Sequence, residues 1–281
     1  ASYRLNGEKE DLFAILKTCG TNNVRIRIWP DPYDENGNSY GGGGNDLETT
    51  IEIAERTVQS GMDFMLDFHY SDFWADPAKQ VKPKAWKELS GEALETAVYL
   101  HTVDTLKALK NHKLVPTMVQ VGNEITNGML DIMPDRSKGE TYKDTWGNAK
   151  NAKILCGYLK AGIKAVRECT PKALVTLHLE SMGYGKCSEI MNAWEQNGVD
   201  YDVFGSSFYQ FWQGNSSKNA LAGLQKIENL AKSRGKMYAV METSWLNSLK
   251  DADGTPNVIG EGHANAKVYS DDPQGQVDAL T

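Results

Sequence analysis

A fold of repeated βα units curled toward a barrel is predicted from three features of this 281-residue chain. Short apolar runs alternate with longer amphipathic segments, which is the rhythm of parallel strands joined by helices rather than of hairpins or bundles. No Gly-x-Gly-x-x-Gly follows the first strand. The glycine run 41–44 sits in a loop without the Lys-Ser/Thr partner of a phosphate cradle, so a nucleotide-binding open sheet has little support. Nearly every apolar run ends on a polar, charged or aromatic residue, as a barrel requires to present a site at the C-terminal ends of its strands.

The elements follow in order. A helix at 9–19, closed by Gly20, leads to a strand at 24–29 (VRIRIW), and a helix at 46–60, closed by Gly61, leads to a strand at 62–69 (MDFMLDFH). A helix at 92–110, opened by Ser90, precedes the strand at 115–121 (VPTMVQV), and a helix at 145–169 precedes 174–179 (LVTLHL). Helix 188–196 precedes strand 201–209 (YDVFGSSFY), and helix 217–234, closed by Gly235, precedes strand 237–242 (MYAVME). No internal repeat and no Pro- or Ser-rich linker divides the chain, so residues 1–281 read as one domain. The loops 30–45, 70–90 and 123–142 are long, and long loops in a compact fold usually carry function.

Composition narrows the partners. With 30 basic against 37 acidic residues the net charge is −7, which argues against nucleic acid, since phosphate binding needs a surplus of clustered Lys and Arg. No window approaches the 18 or more apolar residues of a membrane span, and Ala1-Ser2-Tyr3-Arg4 lacks the apolar core of a signal peptide. Cys19, Cys156, Cys169 and Cys187 form no CxxC pair and read as free thiols. Seven tryptophans supply candidates for cores or for ligand-stacking platforms.

Two strand ends present a glutamate: Glu124 after Gly122-Asn123, and Glu242 before Thr243-Ser244-Trp245. A carboxylate at the end of an apolar strand is partly desolvated, which raises its pKa and suits it to general-acid work. Two on one barrel face are the minimal apparatus for glycoside hydrolysis, whereas each alone reads equally well as a solvated or salt-bridged rim residue.

The Asn123-Glu124 pair on one strand with Glu242 on a later one resembles clan A of the retaining glycoside hydrolases. The runs Val24-Arg25-Ile26-Arg27-Ile28-Trp29 and His69-Tyr70-Ser71-Asp72-Phe73-Trp74-Ala75-Asp76-Pro77 are similar to the family-53 endo-β-1,4-galactanases specifically, as are QVKPKAW (80–86), VQVGNEITNG (119–128) and FGSSFYQFWQG (204–214). The resemblance implies a (β/α)8 TIM-type barrel that cuts β-1,4-galactan side chains of pectin internally, with net retention and no cofactor required for the chemistry. It makes Glu124 the acid/base and Glu242 the nucleophile. Asn123 would meet the sugar 2-hydroxyl, Arg25 would keep the nucleophile ionised, and Tyr209 would donate to Glu242. Arg27 shares the face of Arg25 by period-2 alternation, so the two are not separable on sequence. His69 would line the cleft, with His178, Asp72, Trp74, Trp86 and Trp212 completing the substrate-binding set. Each histidine reads alternatively as a satisfied structural residue, and each tryptophan as core.

The segment Asp251-Ala252-Asp253-Gly254-Thr255-Pro256-Asn257 offers oxygens at alternate positions around a glycine, as calcium loops do, without completing the EF-hand pattern. Asp251, Asp253 and Asn257 read either as an Asx-rich turn or, by the family resemblance, as ligands of a structural calcium. A family barrel has eight strands and six can be placed, so the first and last are expected to lie outside this chain, truncated at both ends. A monomer is expected, and a polymeric substrate implies a secreted or cell-surface protein. Two other readings remain: a related β-1,4-glycanase acting on another polysaccharide, or a galactan-binding remnant with little activity.

Overall fold

The computed structural model describes residues 2–181, 183–213, 217–250 and 269–280. Six strands, β3 (Asn23–Ile28), β4 (Asp63–Phe68), β5 (Met118–Val121), β6 (Leu174–Leu179), β7 (Val203–Ser207) and β8 (Met237–Glu242), pair in sequence order into one curled, parallel sheet. β6 and β8 coincide with the runs expected from sequence, β3 is shifted by one residue toward the N-terminus, and β4, β5 and β7 are trimmed by one to three residues at their ends. The central strands β5, β6 and β7 are buried almost throughout, which is why they read as unbroken apolar runs rather than as alternating ones. β3 and β8 each pair with one strand among the described residues, and β8 is half-exposed.

Helices α2 (Leu47–Gln59), α3 (Gly91–Asn111), α4 (Ala149–Cys169), α5 (Tyr184–Gln196) and α6 (Ser217–Ser233) make the crossovers. Asp46 caps α2 by accepting from Thr49 N at 2.8 Å, and Asn148 caps α4 through Lys150 N and Asn151 N at 3.1 Å. Ser90 takes the N-cap position of α3, but its hydroxyl accepts no N–H from the first turn. α4 approaches β5 and the end of β4 so closely that a Cβ on Gly162 would stand 2.7 Å from the Tyr70 hydroxyl and 2.8 Å from Val121.

Two short strands, β1 (Tyr3–Leu5) and β2 (Glu8–Glu10), form an antiparallel hairpin that takes the start of the helix expected at 9–19, which shortens to α1 (Leu12–Thr18). Asn6 and Gly7 both take positive φ, 51° and 88°, as a two-residue hairpin turn demands. All four cysteines are free, and burial pushes the thiols of Cys156 and Cys187 up to about 12. The calcium candidates Asp251, Asp253 and Asn257 lie outside the described residues.

Candidate active site

The ends of β3, β4, β5, β6, β7 and β8 converge on one cluster of polar side chains. The chain leaves β5 through Gly122, at φ 84°, where a Cβ would stand 2.8 Å from Ile125. Glu124 itself is held in the left-handed region, at φ 47° and ψ 46°. A non-glycine residue there costs about 1–3 kcal/mol, and such strain is retained where it aims a functional group. Opposite, β8 carries one extra residue against β7. Ser206 pairs with Val240 and Ser207 with Glu242, so Met241 bulges and Glu242 is turned toward Ser207.

Oxygens of Glu124 and Glu242 come within 4.8 Å of each other. Their surroundings differ. Glu242 Oε1 lies 3.1 Å from Arg25 Nη2, and its Oε2 accepts from the Tyr209 hydroxyl at 2.9 Å. Glu124 makes no ion pair among the described residues; burial first, and then the nearby charge of Glu242, pushes its carboxyl up to about 8. Burial opposes the charge of Arg25, yet Asp67 and Glu242 together hold its pKa above the ordinary value.

The two arginines of β3 separate clearly. Arg25 reaches Asp67 Oδ2 at 2.8 Å, Asn123 Oδ1 at 2.8 Å and Gln120 Oε1 at 3.2 Å. Arg27 donates to the carbonyl of Gly42 at 2.7 Å and lies 3.9 Å over the ring of Trp74. It therefore braces an aromatic wall rather than serving a carboxylate. Asn123 donates one N–H to Ala75 O at 2.8 Å and turns its Oδ1 inward, to Arg25 and Gln120.

The histidines stand behind the cleft. His69 is buried, with Nδ1 accepting from Ala75 N at 3.1 Å and Nε2 donating to Asp67 Oδ2 at 3.0 Å, so no ring nitrogen is left for a sugar. This corrects the expectation that His69 lines the cleft. His178 is fully buried, between Ser207 Oγ at 2.9 Å and the Asn123–Gln120 pair at 3.1 and 3.3 Å. Burial and the neighbouring Arg25 hold its pKa well below the usual value, so it is neutral.

The seven tryptophans divide. Trp29, Trp146, Trp194 and Trp245 are core residues, and Trp86, 9% exposed, packs on Tyr70 and His101, which removes it from the sugar-binding set. Trp74 and Trp212, 39% and 54% exposed, flank a cleft of about 640 Å³ that Glu124, Glu242, Asn123 and Tyr209 also line. Asp72 is a loop organiser, accepting from Asp31 N at 3.0 Å and Lys84 N at 2.8 Å, and faces a neighbouring pocket.

Sequence reasoning missed Asp67, Gln120 and Ser207. Asp67 had a readable signal, being a charge inside an apolar strand beside a strand that carries two arginines. Among the described residues, Glu124, His178 and Glu242 also place ligand atoms close enough for a metal ion. Both His178 nitrogens already have partners and Arg25 is adjacent, so this donor set does not suit a cation.

The sequence model of glycosyl hydrolase family 53 matches residues 1–281. The chain belongs to that family. It is 41% identical over 279 residues to the endo-β-1,4-galactanase of Bacillus subtilis, covering 99% of this chain and 60% of that protein. The arabinogalactan endo-β-1,4-galactanase of Thermothelomyces thermophilus is 32% identical, with 100% of this chain and 78% of that one covered. Among solved structures, the family-53 catalytic domain of Ignisphaera aggregans superposes with a TM-score of 0.87 at 37% identity, over 99% of this chain and 73% of its own. The family-53 chain thus shares the curled parallel sheet of a (β/α)8 TIM-type fold.

Proposed function

We propose that this protein is an endo-acting β-1,4-galactanase that hydrolyses galactan with net retention. The observation that carries this reading is the unequal pair of glutamates: one held by Arg25 and Tyr209, the other buried and raised to about 8. Two carboxylates in such unlike surroundings divide the roles of nucleophile and acid. The approach of their oxygens to within 4.8 Å favours retention, for which carboxyl groups stand about 5–5.5 Å apart, over inversion, which needs about 6.5–9.5 Å.

In the first half-reaction Glu242 attacks the anomeric carbon as the bond to the leaving sugar breaks, and Glu124 gives its proton to the leaving oxygen. In the second, Glu124 takes a proton from water, whose oxygen attacks the same carbon and frees Glu242. Asn123 has an N–H available for the 2-hydroxyl, and Trp74 and Trp212 offer faces on which galactose units stack. The chemistry needs no cofactor. The protein acts as a monomer, and a polymeric substrate places that action outside the cell. The names of the relatives support galactan as the substrate.

Reducing-sugar release from galactan, mannan, xylan and cellulose tests the reading. Selective release from galactan, with the β-anomer formed first by NMR, is expected. Preference for another polymer would overturn the substrate, and an initial α-anomer the mechanism.

A further inference from the structure

Behind Glu124 runs a string of polar side chains that the two half-reactions above leave unused. Gln120, His178 and Ser207 are buried, at 1% exposure or less. Gln120 Oε1 accepts from Arg25 Nε and Nη2, each at 3.2 Å, and because a guanidinium only donates, the amide is fixed with its Nε2 pointing inward. That nitrogen lies 2.9 Å from Asn123 Oδ1, 3.1 Å from the Gly122 carbonyl and 3.3 Å from His178 Nδ1; His178 Nε2 lies 2.9 Å from Ser207 Oγ, and Ser207 Oγ lies 2.6 Å from Glu124 Oε1. Glu124 Oε2 has no protein partner among the described residues and is the oxygen left for the cleft.

We propose that His178 and Ser207 are positioning residues for Glu124: Arg25, Gln120, His178 and Ser207 form a single donor string, with His178 protonated on Nε2, that ends on Oε1 and leaves the exchangeable carboxyl proton on Oε2. The inference rests on the acid/base reading of Glu124. A serine hydroxyl carries one proton, so once it is given to Glu124 the oxygen must accept from His178 Nε2–H. A neutral imidazole then has a bare Nδ1, which shares the N–H groups of Gln120 Nε2 with Asn123 Oδ1 and the Gly122 carbonyl. The groups facing His178 are Arg25 from β3, Asp67 and His69 from β4, Gln120, Asn123 and Glu124 from β5 and its end, Ser207 from β7 and Glu242 from β8; among these Arg25 opposes a charge on the ring and Asp67 favours it. Glu242, Glu180 and Asp76 face Glu124 as like charges.

The reverse string would place the His178 proton on Nδ1, toward Asn123 Oδ1 at 3.1 Å. It would require the Glu124 proton on Oε1, directed into the protein and away from any leaving oxygen. In the forward direction Oε1 accepts the same bond whether Oε2 is protonated or bare, so the carboxyl keeps its orientation through both half-reactions. A hydrogen bond to the charged form is the stronger, so Ser207 also draws the Glu124 pKa down against burial and Glu242.

Nitrogen-15 NMR of the imidazole rings tests the string directly, with the His178 signals assigned by their loss in His178→Gln. A ring protonated on Nε2 and bare on Nδ1, on both sides of pH 8, is expected; an Nδ1–H tautomer or a charged ring overturns the proposal. In kinetics, Ser207→Ala should move the alkaline limb of kcat/KM upward by about half a unit to one unit, the worth of one hydrogen bond. His178→Leu should move it the same way, while His178→Gln, which keeps an N–H toward Ser207, should hold it. A limb that stays put or moves down in Ser207→Ala counts against the string. The tautomer is read without substrate, so a protein inert on galactan but protonated on Nε2 would sink the functional reading alone.

Discussion

Met241 lies across Gly205: a Cβ built on the glycine would stand 2.5 Å from Met241 Cγ. The missing side chain of β7 makes room for the bulged residue of β8 beside Glu242, so the packing of this pair and the aim of the nucleophile candidate are one problem. Gly205→Ala should cost about 1–3 kcal/mol in chemical denaturation, as overpacking does, and lower activity as well. Adding Met241→Ala should return part of the stability. Additive losses in the double variant would show that the two residues do not interact.

Asp67 is buried and ionised: burial alone would raise its pKa, but Arg25 and His69 draw it below the ordinary value. Asp67→Asn leaves the Arg25 charge without its shortest ion pair. The expected loss is about 3–5 kcal/mol of stability, the usual penalty for breaking a buried pair. An unchanged melting temperature would contradict this account of Arg25.

The carboxyl of Glu124 titrates near 8 in the folded protein against 4.5 for the free side chain, so the fold holds a proton that the unfolded chain has released. Its stabilising contribution is therefore complete at low pH, declines above the unfolded value, and is lost as pH rises through about 8. Glu124→Gln does not titrate. It should melt higher than the parent at pH 9 and equal to it at pH 4, while turnover falls by roughly 10²–10⁴, the usual size of general acid-base catalysis. The parent should lose kcat/KM above about pH 8 as the acid form disappears.

Trp212 is more than half exposed and meets Tyr209 and Phe211 at ring distances of 5.2 and 4.8 Å. Removing its face should weaken substrate binding without touching the carboxylates. Trp212→Ala should raise KM for galactan by roughly threefold to tenfold, with kcat changed much less, if sugar stacking is worth about as much as an aromatic pair. A collapse of kcat with KM unchanged would place the residue in the chemistry instead.

The sheet was legible because burial on both faces leaves an unbroken apolar run, and Glu124 and Glu242 were legible because each breaks such a run at its end. The hairpin at the N-terminus was not, since β1 and β2 are mostly exposed, polar strands whose sole local signal is Asn6-Gly7. His69 was placed at the correct strand end and Trp86 and Asp72 on the correct loop, but whether such a side chain turns to the cleft or to the core depends on its neighbours in space. Gln120 and Ser207 were hidden for the converse reason: a lone polar residue within an apolar strand reads as ordinary sequence until the strand beside it is known.

The offset between β7 and β8 sets Glu242 by backbone hydrogen bonding, and the kink at Gly122 sets Glu124 in the same manner. The gap between the two carboxylates is thus built into the frame rather than into flexible side-chain rotation. Side chains such as Trp74 and Trp212 can change to suit a different polymer while Ala75 and Tyr209 on the same loops go on holding Asn123 and Glu242, so selectivity and chemistry can diverge at neighbouring positions.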